Sequence, residues 1–272
     1  DYSFSGLALF KKTEVFKRLI LRGLDYLAPG EVSFADYARA LLAADQAAHP
    51  DDSQEREWLK EEFVRRRIAP NRSALDVDTN YDHPALHALD FNKLLENDGL
   101  ARQFAEHNRQ FLQIPPGIPF QVAPRLKVTK TYYHLGSRQQ ATTELLFKVS
   151  WLADEPNDLG SQFARQRRLA VGSTLAVDWN TRLVRALLTT APAVRPDEAA
   201  RQKEDRDHFL GNLIDKGLVQ PGLDNHQPGS TAPSGLIGLE ETNGVLRLQG
   251  MTHMLHINRP ESSDRTNPTI AI

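Results

Sequence analysis

Apolar residues near the start of the chain recur at helical spacing. Val15, Phe16, Leu19, Ile20, Leu24 and Leu27 form one stripe, and residues 7 to 69 read as helices. Pro29-Gly30 stops the first helix. Ser33 is a good N-cap for the next, with Asp36 three residues on as a weaker form of the capping box. Phe34, Tyr37, Ala38, Leu41 and Leu42 are expected on its buried face, and His49-Pro50 ends it. Asp51, Asp52 and Ser53 can cap a third helix with Trp58, Leu59 and Phe63 facing in. The Arg65-Arg66-Arg67 run suits its C-terminal dipole end. Residues 70 to 90 are polar and irregular and read as a linker or surface crossing. Helical spacing returns at Phe91, Leu94, Leu95, Leu100, Phe104 and Phe111. Asn97-Asp98-Gly99 breaks this stretch in two, and Ile114-Pro115-Pro116-Gly117 ends it.

The period then changes to two. Phe120 and Val122, then Leu126 and Val128, alternate with other residues. The clearest strand is TELLFKVSW, with Leu145, Phe147, Val149 and Trp151 on one face and Lys148 and Ser150 on the other. Strands are also expected at 173 to 179 and 182 to 190, joined at Asn180-Thr181. A charged helix should run from Pro196 to about Gly217, burying Phe209, Leu210, Leu213 and Ile214. Residues 219 to 234 read as a loop. A hairpin turning at Asn243-Gly244, the preferred type I′ pair, closes the chain. The fold class is therefore α+β: an N-terminal helical subdomain (1–69), a linker with helices (70–117), and a mixed β-sheet domain (118–272) with a charged helix and a C-terminal hairpin.

Composition narrows the chemistry more than it widens it. Hydrophobic residues make up 40% and charged residues 25% of 272, which is globular. The formal net charge of -2 supplies no field for nucleic acid or an anionic membrane. With no cysteine, disulfides, thiolate nucleophiles and cysteine zinc sites are excluded. No apolar run is long enough to span a bilayer. The opening residues lack the basic start and apolar core of a signal peptide.

Residues 11 to 68 carry an ordered set of features: Tyr26-Leu27, a turn, Ser33-Phe34, Ala43-Ala44-Asp45, then Leu59, Phe63 and Ile68. In this order and spacing the segment resembles the C-terminal helical subdomain of thermolysin-like zinc metallopeptidases. The resemblance implies a scaffold packed beside a zinc-binding half. In that family the HExxH helix and its downstream Glu and His would lie before Asp1. No HExxH occurs in this chain, so zinc is expected only on that other half, and no catalytic, cofactor-binding or metal-ligating residue is assigned here. The partner implied is the catalytic half or another protein chain. The alternative is a non-enzymatic interaction module, marked by an exposed apolar patch.

Several clusters invite a sharper reading. His83 and His87 have the helical spacing of metal ligands, but Pro84 lies between them, and surface histidines beside a capping Asp82 are the simpler account. His253 and His256, with Met251 and Met254 as soft ligands, would fall on opposite faces of a strand. Glu204, Asp205, Asp207 and His208 sit among cations at helical spacing, as on a solvated face. Arg165, Arg167 and Arg168, like Arg65 to Arg67, read as surface charge. Tyr132, Tyr133 and His134 mark a strand end, and no feature there demands a ligand or peptide groove. Neither a nucleophile elbow nor a Walker loop is present.

Overall fold

The computed structural model describes residues 2–49, 53–132, 140–161, 163–193, 195–216, 219–221, 237–242 and 244–249. Its elements, in order, are α1 (Tyr2–Tyr26), α2 (Phe34–Ala48), α3 (Ser53–Arg65), α4 (Phe91–Glu96), α5 (Asp98–His107), β1 (Phe120–Tyr132), β2 (Gln140–Pro156), β3 (Gln166–Asp178), β4 (Val184–Thr189), α6 (Pro196–Asp215), β5 (Val219–Pro221), β6 (Ile237–Thr242) and β7 (Val245–Gln249). The α+β class expected from the pattern is observed. The chain divides into two compact units, Asp1–Asp154 with Leu169–Val194, and Glu155–Arg168 with Arg195–Ile272. This division falls elsewhere than at 69 and 117, and it places the front helices in one unit with much of the sheet.

In the first unit, β1 pairs antiparallel with β2, and β3 with β4. Helices cover both faces of these strands. Leu145, Phe147, Val149 and Trp151 of β2 point into a core completed by Phe91, Leu94, Phe104 and Leu112. The opposite face was expected to be polar, yet Leu146 and Glu144 are fully buried there. Leu146, Ala176, Ala186 and Leu188 pack against Tyr26 and the alanines Ala40, Ala43, Ala44 and Ala47 of α2. Small side chains let that helix approach the sheet closely.

The connection between α1 and α2 is fastened to β2 and β3. Glu31 N–H donates to the Ala170 carbonyl at 2.8 Å. The Leu27 carbonyl accepts from Lys148 Nζ at 2.9 Å and Thr174 Oγ1 at 2.8 Å. Gly30 has φ +114, and a Cβ there would lie 2.2 Å from the Ala170 oxygen. Gly172 is held the same way, with Val149 O only 2.3 Å from where its Cβ would be. Glycine is needed at both positions because backbone meets backbone.

Local signals in the sequence were reliable. Ser33 and Asp36 form a reciprocal capping box, and His49 closes α2. Asn97 both ends α4 and caps α5. Burial departs from the spacing at several positions. Leu19 and Tyr26 are buried in α1, whereas Phe16 and Leu24 are exposed. Phe34, Trp58 and Phe209 are also exposed, against expectation. Leu59 and Phe63 do pack inward, against Ala38 and Leu42. Residues 70 to 90 are not a free linker: Leu75 and Leu86 are buried, and Tyr81 bridges to Val184.

In the second unit, the first residues of β3 pair in parallel with β7, β7 pairs antiparallel with β6, and β6 pairs in parallel with β5. The expected hairpin is present, with Thr242 opposite Val245 and Gly244 at φ +73. Its second strand is described to Gln249. The loop expected over 219 to 234 begins instead with β5, and the remainder of it lies outside the described residues. Phe163, Ala164 and Leu246 form a small core against which Leu213 and Ile214 of α6 pack.

Candidate functional site

His83 and His87 do separate work. His83 Nδ1 accepts from Ala85 N–H at 3.3 Å, and its ring stacks on Phe111 with centroids 3.6 Å apart. His87 Nε2 lies 2.6 Å from Asp82 Oδ1. The capping residue is thus His83, not Asp82. The two imidazoles do not converge, and among the described residues no group of three or more His, Cys, Asp or Glu could hold a metal ion. His253, His256, Met251, Met254, Tyr133 and His134 lie outside the described residues. Tyr132 is the last residue of β1.

The basic cluster at 165 to 168 differs from its surface reading. Arg167 is 1% exposed. It pairs with Glu155 and, at 3.0 Å, with Asp207 of α6. Arg206 clasps the same Glu155 at 2.5 Å, while Lys203 holds Asp207 at 2.6 Å and also pairs with Asp158. Burial pushes the Glu155 carboxyl up, but hydrogen bonds from Arg206 and Arg167 outweigh this and leave it below the usual carboxylate range. Asp207 therefore belongs to a structural ion-pair network, while Glu204, Asp205 and His208 are exposed as a solvated face requires. Arginine does not release a proton near neutrality, so this network orders α6 rather than moving protons. Arg65 and Arg66 are exposed and hold the carboxyl of Glu62 at about 2.

A second polar cluster lies where α1 meets the sheet. Glu144 is 0% exposed, and its Oε2 accepts from the Tyr26 hydroxyl at 2.9 Å and from Lys130 Nζ at 3.0 Å. Lys130 Nζ also sits 4.3 Å from the Tyr26 ring centroid and 3.7 Å from Asp25. Nearby Lys148 is half-buried; burial pulls its pKa below 10.5, Asp25 opposes this and Lys130 adds to it. Acid, base and hydroxyl are all present, but Glu144 and Lys130 are sealed between helix and strands, where no substrate reaches them.

Two shallow recesses open beside α4. One of about 330 Å³ is lined by Asp90, Lys93, Gln103, His107 and Asn108 among others. The other, about 310 Å³, is lined by His87, Asp90, Asn92, Trp179 and Arg182 among others. Their strongest polar groups are engaged. Asp90 accepts the N–H groups of Asn92 and Lys93 as the α4 cap. Arg182 donates to the carbonyls of Leu86 and Leu89. An active site wants convergent polar groups free to meet a ligand, and these are occupied in holding the backbone.

Among the described residues, the outer face of α1 stands open. Leu7 is 52% exposed, Phe10 64%, Leu21 57% and Leu24 51%. In the sequence the charged Glu14 and Lys17 interrupt the apolar spacing of this row. Comparison with protein-family models, with curated proteins and with solved structures finds no match. Among the described residues, no helix is long and apolar enough to cross a membrane.

Proposed function

We propose that this chain is a non-catalytic scaffold and protein-interaction module, docked through the outer face of α1. The observation that carries this is the exposed row Leu7, Phe10, Leu21 and Leu24, four of the six exposed large apolar residues described on that helix. Exposed apolar side chains are ordinary when scattered, whereas aligned on one face they mark a surface that is covered in the working state. The other face of the helical layer already has its cover, since the alanines of α2 lie on the chain's own sheet. Polar replacement of all four residues by serine tests the assignment. Thermal stability in dilute solution should hold or rise, because these side chains touch water. A fall of several degrees would show that they pack within the chain, and the reading would fail.

The resemblance of residues 11 to 68 supports a second identity for the partner, the zinc-binding half of a thermolysin-like peptidase. The Ser33–Asp36 capping box and the inward Leu59 and Phe63 are in keeping with it. Sequencing the coding DNA directly upstream of the Asp1 codon tests this. An in-frame HExxH with a downstream Glu and His supports it; a frame without them removes it.

A further inference from the structure

Six positions on α1, Leu7, Phe10, Glu14, Lys17, Leu21 and Leu24, are separated alternately by three and four residues. This is the a/d spacing of a coiled-coil seam. At 3.6 residues per turn all six fall within an arc of about 100°. The row is also its own mirror image. About the midpoint between Val15 and Phe16, Leu7 mirrors Leu24, Phe10 mirrors Leu21, and the acid Glu14 mirrors the base Lys17. The buried residues Leu19, Gly23 and Tyr26 face the opposite way, and no other described residue covers the seam.

We infer that α1 docks antiparallel against α1 of a second copy of this chain, with Glu14 of each copy facing Lys17 of the other. This rests on the reading of that face as a docking surface and names its occupant. A two-fold interface must be self-complementary, and only the antiparallel arrangement makes this row so. Leu7 meets Leu24 and Phe10 meets Leu21 at the two ends, while opposite charges meet twice at the centre. Parallel pairing would set Glu14 against Glu14 and Lys17 against Lys17. In the isolated chain Lys17 Nζ lies 3.2 Å from Glu14 Oε1 and 3.4 Å from Oε2, one turn along the same helix. Those side chains need only reach across the seam to exchange partners. The 25 residues of α1 give about 37 Å of helix, enough for all six positions to engage at once. A charged pair in an apolar seam fixes orientation and register more than it adds affinity.

Sedimentation velocity of the full chain across a concentration series tests this, with Glu14→Lys, Lys17→Glu, their equimolar mixture and the Glu14→Lys/Lys17→Glu double variant. The wild-type chain should form a dimer. Each single variant places like charges opposite one another twice and should weaken the dimer about tenfold. The mixture should recover as a heterodimer, and the double variant should dimerise like wild type. Lys17 is exposed and Glu14 is partly exposed, with each other as their ion-pair partner, so the variants should fold as the parent does. A wild-type chain that stays monomeric throughout overturns the inference, as does a dimer indifferent to these charges. If stability survives the serine replacements while the chain stays monomeric, the face belongs to a different occupant. If stability is lost, the docking reading itself has failed.

Discussion

Replacing Glu144 by glutamine perturbs the fold where helix and sheet are most tightly interlocked. The change keeps shape and leaves an oxygen to accept from the Tyr26 hydroxyl, but it removes the charge 3.0 Å from Lys130 Nζ. At an effective dielectric of about 20, a pair at that distance attracts by about 5 kcal/mol. Breaking a buried pair by removing one partner typically costs about 3 to 5 kcal/mol. Asp25, 3.7 Å from the same ammonium and partly exposed, retains a share of the attraction, so a loss of about 3 kcal/mol is expected. Adding Lys130→Met removes the stranded charge, and the double variant should return to within about 1 kcal/mol of wild type. Denaturant unfolding followed by tryptophan fluorescence reads this in the relevant unit, because all three tryptophans, Trp58, Trp151 and Trp179, lie in Asp1–Asp154 with Leu169–Val194. A single variant costing under about 1 kcal/mol, or a double variant no better than the single, would refute the claim that the pair is buried and coupled.

Further expectations concern the same layer. Lys148 has a folded pKa below 10.5 because of burial, so its charged form penalises folding at neutral pH and the penalty disappears as pH rises through the window up to 10.5. Lys148→Met should therefore be more stable than wild type near neutrality, with Thr174 still bonding the Leu27 carbonyl. The gap should close toward alkaline pH, and a pH-independent gap in paired unfolding curves would count against burial as the cause. Ser33→Ala removes half of the capping box and should cost about 1 kcal/mol, read by thermal melts. Gly172→Ala should be far worse than an ordinary strand glycine change, since its Cβ would meet the Val149 carbonyl and the Pro29 carbonyl, neither of which is a flexible side-chain end. Soluble, folded Gly172→Ala protein with an unchanged melting temperature would contradict that close approach.

Caps, breaks and strand periods were legible in the sequence because each is decided within a few residues. Ser33, Asn97, the Leu145 to Trp151 alternation and the hairpin at Gly244 all behave as their neighbours dictate. Which face of an element is covered is decided by residues far away, and there the pattern was insufficient. Phe16, Leu24, Phe34, Trp58 and Phe209 count as inward by spacing but meet no described neighbour that buries them. Arg167 looked like one of three equivalent surface cations. Its burial depends on Glu155 and Asp207, 12 and 40 residues away along the chain. Leu75 and Leu86 lie in short apolar patches, beside Ala74 and Val77 and beside Ala85 and Leu89, too brief to show a period. The exposed row on α1 is obscured in the sequence for a related reason. A hydrophobic count sees two apolar pairs interrupted by Glu14 and Lys17, whereas a reading by spacing and symmetry sees one continuous seam. The ordered features of 11 to 68 are also local helix-forming signals, which any helical hairpin of this length can use.

The most direct test of α1 as a docking face is the reactivity of a single thiol placed on it. The chain has no cysteine, so Phe10→Cys introduces the sole reporter. In dilute solution the thiol should react with a small alkylating reagent as fast as a free cysteine, and its reaction should slow as protein concentration rises and the seam closes. A thiol that is protected even at the lowest concentration would place Phe10 inside the folded chain and contradict the account.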